Sequence, residues 1–321
     1  MFLLPRVIAI GETMLRLSPV DVSTIEEADN FHVHVAGAES NVTVGLARMG
    51  IDAGWISRLV NNSVGKLMAN KIRQHNVDVS RIVWTDDGRN GLYYLEFGYE
   101  PRPTKIVYDR VGSAFSHLDV NEIDWNYLLD SELIHLTGIT PALGEASKQL
   151  VLQIIKRAKA NNCHISFDVN YRNKLWTPIV AKEILSKILQ DVDILICSLD
   201  DARLVFDFIN LSPEEIAIEF YKTYKNEVVV ITLGENGALA YDGTRIYKEP
   251  AFKTDIVDRI GRGDAFTAGF LYGYLTSNVK DALKYGNAMA ALKQTIKGDF
   301  FWCTKDTVED LILGEHRKLD R

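Results

Sequence analysis

The sequence predicts an α/β protein: a central, mostly parallel sheet with helices on both faces, plus a small β-sheet lid. Short β-branched runs alternate with amphipathic stretches along most of the chain, which is the rhythm of β-α-β units. Two segments, Glu12–Val35 and Gly91–Ser113, break that rhythm with strand-like pieces and no helical periodicity. The composition fits a large core: 321 residues, 47% hydrophobic and 25% charged, which excludes disorder, a fibre or a small disulfide scaffold.

The first strand is Val7–Gly11, and the amphipathic stretch Ser40–Met49 follows the first irregular segment. Leu133–Leu136 precedes a helix over Gly144–Ala160, and His164–Asp168 precedes one over Ile179–Ile188. Asp193–Cys197 leads into Asp200–Phe208, Val228–Thr232 is a further strand, and two closing helices are expected at Ala265–Ser277 and Val279–Thr295. Within the presumptive lid, Leu92–Phe97 and Thr104–Tyr108 read as strands separated by a turn at Pro101–Pro103. No linker or charge block divides the chain, so residues 1–321 read as one domain carrying the lid as two insertions, roughly 12–35 and 91–113. Parallel sheets of this kind place ligands at the carboxyl ends of their strands, so residues just after each run are the candidates.

Lysine and arginine total 36 against 43 acidic residues, a net charge of −7, which argues against a nucleic-acid surface and for a small ligand. Cys163, Cys197 and Cys303 lack C-x-x-C spacing and suit a reducing compartment rather than a disulfide framework or zinc site. With no apolar leader at Met1–Ile10 and no stretch long enough to span a bilayer, a cytoplasmic protein is expected. The seven histidines show no metal-ligand spacing, and the charged tail Glu315–Arg321 is expected to fray.

The most informative stretch is Asp258-Arg-Ile-Gly261-Arg262-Gly263-Asp264, running into an apolar helix. Glycines opening a helix aim unpaired amides and a positive dipole end at one point, an anion hole, although Asp264 is equally readable as a plain N-cap. Upstream, Thr232-Leu-Gly234-Glu-Asn-Gly237 ends a strand in a glycine pair that suits either close approach to a nucleotide or a tight turn. Neither a Walker loop nor a G-x-G-x-x-G after the first strand is present.

These motifs, with Ala36-Gly-Ala-Glu-Ser-Asn41, resemble the ribokinase-type carbohydrate kinase family. Gly37–Asn41, Asp168-Val-Asn170-Tyr-Arg172 with Leu175-Trp176, Tyr108-Asp-Arg110 and Ala291–Phe300 are similar to its 2-keto-3-deoxygluconate kinases. The resemblance implies a Rossmann-like fold with a β-lid, ATP and Mg²⁺ as cofactors, and phosphorylation of the terminal hydroxyl of 2-keto-3-deoxygluconate. It further implies that Asp264 is the general base and that the amides of Gly261, Arg262, Gly263 and Asp264 hold the transferring phosphoryl group. Gly37, Asn41, Tyr93, Tyr108, Arg110, Asn170 and Arg172 are the implied sugar contacts, and Ser198, Thr232, Gly234, Gly237, Gly261, Gly263 and Asn287 the implied nucleotide side.

A guanidinium grips a carboxylate with two parallel charge-assisted bonds, so Arg110 and Arg172 are the residues that would select an acid sugar. Asn170, two residues before Arg172, is expected on the same side of an extended segment. Three features depart from the family pattern, the smallest being Ala36 where a second glycine is common. Arg262 replaces a small residue in the usual Gly-Ala-Gly-Asp turn, its side chain either swung to solvent, the preferred reading, or laid on the phosphates. Ser198-Leu-Asp-Asp201 stands for an Asn-x-x-Glu element, with Asp200 or Asp201 able to hold Mg²⁺ through water or simply to cap a helix; the metal ligands stay unassigned. A neutral-sugar kinase such as a fructokinase and a non-catalytic sugar-binding relative are the alternatives. The partners expected are the sugar, ATP and a second copy paired through an exposed lid bearing Tyr93, Tyr94 and Phe97.

Overall fold

The computed structural model describes residues 4–314; the tail Glu315–Arg321 lies outside them. From the N-terminus, β1 (Val7–Ile10) enters the core. The chain then leaves for two lid strands, β2 (Met14–Pro19) and β3 (Phe31–Ala36), before α1 (Ala38–Arg48) returns it to β4 (Ala53–Ile56). A side excursion of β5 (Arg58–Val60), α2 (Ser63–Arg73) and β6 (Val83–Thr85) precedes the other lid strands, β7 (Leu92–Glu96) and β8 (Lys105–Asp109). From α3 (Trp125–Leu129) onward strands and helices alternate: β9 (Leu133–Thr137), α4 (Glu145–Ala160), β10 (His164–Asp168), α5 (Pro178–Ile188) and β11 (Ile194–Ser198). They continue through α6 (Leu199–Phe206), α7 (Pro213–Tyr224), β12 (Val228–Thr232) and the strands β13 (Ala238–Tyr241) and β14 (Ile246–Glu249). Three helices close the order: α8 (Arg262–Thr276), α9 (Val279–Gln294) and α10 (Lys305–Leu313).

The core sheet runs β14-β13-β12-β11-β10-β9-β1-β4. The six strands from β12 to β4 are parallel, and β13 and β14 add an antiparallel edge. Successive side chains point to opposite faces, and helices cover both, which is why these strands read as unbroken apolar runs. Leu195, Cys197, Val229 and Ile231 pack on the layer formed by α3 to α7. Ile194, Ile196, Val228 and Val230 pack on α1, α8 and α9. Helices α2, α7 and α10 and strands β13 and β14 were not expected from periodicity. The cap of α7 was nevertheless written in the chain: the Ser212 hydroxyl accepts from Glu215 N, Glu215 reaches back to Ser212 N, and Pro213 opens the first turn.

The lid is a four-stranded sheet, β3-β2-β7-β8, on the two segments that broke the α/β rhythm. Its inner face carries Met14, Ala36, Tyr93 and Leu95, all buried. Register places Val33, Leu17, Tyr94 and Val107 in one row on the other face. The expectation that Tyr93, Tyr94 and Phe97 are exposed together is therefore corrected. Tyr93 points inward, and Phe97 packs against the inner-face cluster with the Arg16 guanidinium 5.2 Å from its ring centroid. Among the described residues, no helix is long and apolar enough to cross a membrane.

Helices α8 and α9 approach closely because Gly269 lies against the Tyr285 carbonyl and the Cα of Gly286. A side chain there would push apart the pair that carries the glycine-rich turn of residues 261–264. We expect Gly269→Val to lower the unfolding free energy by about 1–3 kcal/mol, measured by urea denaturation.

Candidate active site

A cleft of about 750 Å³ opens at the carboxyl ends of β10, β11 and β12, bounded by the starts of α1 and α8 and by the inner face of the lid. The last residues of those strands, Asp168, Ser198 and Thr232, all line it. This is where a parallel sheet offers a ligand site.

Helix α8 begins three residues earlier than periodicity suggests, so Gly261 is its N-cap and Asp264 its third residue rather than its cap. Gly261 has φ of 80° and presses on the Asp299 carbonyl, a place for glycine on both counts. The amide of Arg262 donates to the Arg259 carbonyl at 3.3 Å. The amides of Gly263 and Asp264 follow in the first turn, where the helix itself supplies no acceptor. Beside them, Asn41 Nδ2 donates to Asp264 Oδ2 at 2.6 Å. Burial raises the Asp264 pKa, against the opposing pull of Asn41 and Arg172.

Asn41 sits in the first turn of α1, behind the N-cap Gly37, and both line the cleft. Glu39 of the same motif faces away: it is fully buried, and the hydroxyls of Thr137 and Thr140 donate to it at 2.8 and 2.6 Å. Asn170 does not lie on an extended segment. Its φ is 39°, and it folds back so that its amide and Nδ2 donate to the Asp168 carboxylate at 3.1 and 3.2 Å. Its Oδ1 is buried and unpartnered, and Asn170 and Arg172 still line the same cleft.

The two candidate arginines differ. Arg110 is buried, and its Nε and Nη2 both donate to Glu12 Oε2, so its guanidinium is already paired. Arg172 is exposed at the cleft wall, donates to the Tyr171 carbonyl at 2.9 Å, and has no carboxylate partner among the described ion pairs. Tyr108 lines the cleft opposite, and Tyr93, also on its wall, donates its hydroxyl to Asp299 Oδ1 at 2.9 Å.

On the presumed nucleotide side, Thr232 and Ser198 reach the cleft, and the Ser198 hydroxyl caps α6 by accepting from Asp201 N at 3.0 Å. Gly234 and Gly237 form the turn between β12 and β13, and Asn287 Nδ2 donates to the Glu249 carbonyl at 3.0 Å; the cleft lining includes none of the three. Arg262 is half-buried, not swung to solvent: its guanidinium lies beside Gly234, near Arg259 and Glu235. Arg262 is the first residue of α8 and lines the cleft.

Three functional candidates escaped sequence reasoning. Asp168 was noticed only as part of a motif, yet burial and the neighbouring Asp264 and Asp201 push its pKa up to about 7. Asp299 lines the cleft and takes Arg16 at 2.8 Å, while Asp258, just before the turn, takes Arg16 at 2.8 Å on its other nitrogen. No local spacing connects these positions. At the opposite end of the sheet, His164, Asp193 and Glu227 bring potential ligand atoms within 4.8 Å, although the histidine spacing gave no hint of it. Both carboxylates there are already used, by Ile165 N and by the Tyr274 hydroxyl.

The profile of the pfkB family carbohydrate kinases matches residues 4–301. The chain belongs to that family. It is 38% identical over 315 residues to the 2-dehydro-3-deoxygalactonokinase of Haloferax volcanii, covering 98% of each chain. It is 30% identical over 293 residues to a 5-dehydro-2-deoxygluconokinase of Clostridium perfringens, covering 89% of this chain and 86% of that one. The crystal structure of 2-dehydro-3-deoxygluconokinase from Thermotoga maritima superposes with a TM-score of 0.91 at 33% identity, covering 96% of this chain and 98% of that one.

For this pfkB kinase the raised Asp168 pKa fixes a sign. The folded state holds that proton to higher pH than the unfolded chain, so ionising Asp168 costs stability as pH rises from about 4 towards 7. Asp168→Asn is expected to melt at a higher temperature than the parent at pH 8, with the gain vanishing near pH 4, read from a pH series of thermal melts.

Proposed function

We propose that the chain is an ATP-dependent kinase of keto-deoxy sugar acids that phosphorylates the terminal hydroxyl of 2-keto-3-deoxygluconate, giving the 6-phosphate. One observation carries the reading: Asp264, held by Asn41 among the first-turn amides of α8, shares a single cleft with Arg172. The names of the relatives support the substrate class, since all three denote kinases of deoxygenated keto sugar acids.

In this reading the sugar lies between the lid and β10, its carboxylate against Arg172 and its terminal hydroxyl at Asp264. Asp264 takes the hydroxyl proton, a task suited to a carboxylate whose pKa burial raises above its ordinary value. The amides of Gly263 and Asp264 face the charge that grows on the transferring phosphoryl group. Arg262, leaning over Gly234, adds a positive group on the nucleotide side. Thr232 and Ser198 complete that side of the cleft. Gly234, Gly237 and Asn287 serve it indirectly, by shaping the β12–β13 turn and anchoring the end of β14.

Mg²⁺ fits the carboxylates on the cleft floor: Asp201 adds to the negative charge around Asp168, and hard cations accept such oxygens while keeping most of their waters. Asp168, Asp200 and Asp201 would hold it through those waters, where it would neutralise phosphate charge. The same proposal extends to assembly, since a second copy would cover the outer lid row of Val33, Leu17, Tyr94 and Val107.

Two measurements test the reading. In a coupled assay across 2-keto-3-deoxygluconate, its galactonate epimer and fructose, Asp264→Ala should lose about 10²–10⁴-fold in kcat while ATP still binds calorimetrically. Near-normal turnover would remove Asp264 from the base role. Arg172→Met should raise KM for the acid sugars about 10- to 100-fold and leave any fructose turnover unchanged. A parent enzyme that prefers fructose would make this a neutral-sugar kinase, and ATP consumption with none of the sugars despite sugar binding would leave a non-catalytic relative.

A further inference from the structure

Lys293, on the last turns of α9, is fully buried, an uncommon state for a lysine. It has no carboxylate partner among the described ion pairs. The nearby carboxylates are spent elsewhere: Asp264 accepts from Asn41. Asp258 accepts from Arg16, Gly298 N and Ile260 N, and Asp299 accepts from Arg16 and the Tyr93 hydroxyl. The Lys293 ammonium turns instead to main-chain oxygens, donating to the Asp258 carbonyl at 3.3 Å and the Ile296 carbonyl at 3.2 Å. Those oxygens belong to the two segments that shape the glycine-rich turn. One, residues 257–261, leads into α8 and is tied to α9 through Val257 and Asp258 amides donating to the Gln294 carbonyl. The other ends at Asp299, whose carbonyl backs Gly261.

We propose that Lys293 is a positioning residue of the phosphoryl-transfer site: a tethered cation that occupies a main-chain carbonyl cage and clamps the two segments that set the first turn of α8. An ammonium among carbonyls does there what a free monovalent cation does in such a cage, with the α9 backbone as its anchor. It fixes where the Gly263 and Asp264 amides point, and it places a positive charge behind them without touching substrate. Burial and, to a lesser degree, Arg16 lower its pKa, while Asp258, Asp299 and Asp264 counter that pull, so the charged form is supported by groups that do not bond it directly. The inference rests on the kinase reading only for its kinetic arm.

The test uses the full chain with Lys293→Ala, which empties the cage, and Lys293→Met, which fills it without charge. In sodium salts kcat of the alanine variant should fall about 10- to 100-fold with KM values little changed, as for a displaced rather than deleted catalytic group. Replacing sodium by potassium or ammonium, whose sizes match the lost ammonium, should recover much of that kcat. It should also raise the melting temperature of the alanine variant, but not of the parent or the methionine variant. Wild-type kcat in Lys293→Met, or kcat and melting temperature of Lys293→Ala that ignore the choice of cation, would overturn the proposal. So would failure of both variants to fold in any of these salts, which would make Lys293 a residue of the core alone. If the parent phosphorylates none of the sugars, the melting series still decides, so the two readings fail separately.

Discussion

Arg16 is buried between Asp258 and Asp299, and most of what makes the cleft a working site hangs from that contact. Its two terminal nitrogens each take one carboxylate at 2.8 Å, with all three side chains shut off from solvent. Desolvating three charges is costly, and their mutual attraction offsets that cost only if the geometry is good and the remaining lone pairs are satisfied. Those of the carboxylates are met by Tyr93 on Asp299 and by the amides of Ile260 and Gly298 on Asp258, while Arg16 Nε is buried without a partner. Arg16 and Tyr93 belong to the lid, whereas Asp258 and Asp299 flank the turn that opens α8. The ion triad is thus a joint between lid and glycine-rich turn, and removing one member would strand buried charge in both.

The cleft floor runs against stability. Asp168, Asp201 and Asp264 all have raised pKa values because burial disfavours their charged forms and neighbouring carboxylates add to it: Asp264 and Asp201 on Asp168, Asp200 on Asp201 and Asp299 on Asp264, with Arg172 a counterweight common to all three. A sheet with apolar residues on both faces tolerates such a concentration only at its rim, where the strands end. The surrounding scaffold holds the carboxylates close in spite of that, which is the usual trade of stability for function at a site. Ligands that bring positive charge, or that let a proton settle, relieve it.

The α/β rhythm, the lid segments and the glycine-rich turn were legible because each rests on local chemistry: period-two apolar runs, proline turns and glycines before a helix. Asp264 and Asn41 could be named for the same reason, although their contact spans 223 residues. The Arg16 triad could not, since its partners lie 242 and 283 residues away and an arginine in a lid strand looks like any solvated arginine. Lys293 was hidden differently, on a helix where a lysine ordinarily marks the wet face. Asn170 was misread because its left-handed φ depends on bonds to Asp168 that only the folded strand end provides. Arg262 was misread because the helix begins before its apolar periodicity does.

Positive charge is divided along the cleft in a way that bears on its two ligands. Arg110 keeps its guanidinium on Glu12 beneath the lid, so an incoming carboxylate would have to displace a buried, already neutralised pair, and the exchange gains little. Arg172 holds only the Tyr171 carbonyl, stands exposed at the wall, and can turn to a new anion with small loss of existing bonds. Arg262 stands beside Gly234, with Arg259 as a neighbouring positive charge. In the proposed reading, an acid sugar at one end and a polyphosphate at the other would each meet a cation of their own, and the carboxylates between them would keep either anion from sliding into the other's place. On that reading, directional binding of two anionic substrates in one open cleft would follow from that order of charges, with Asp264 where the two ligands would meet.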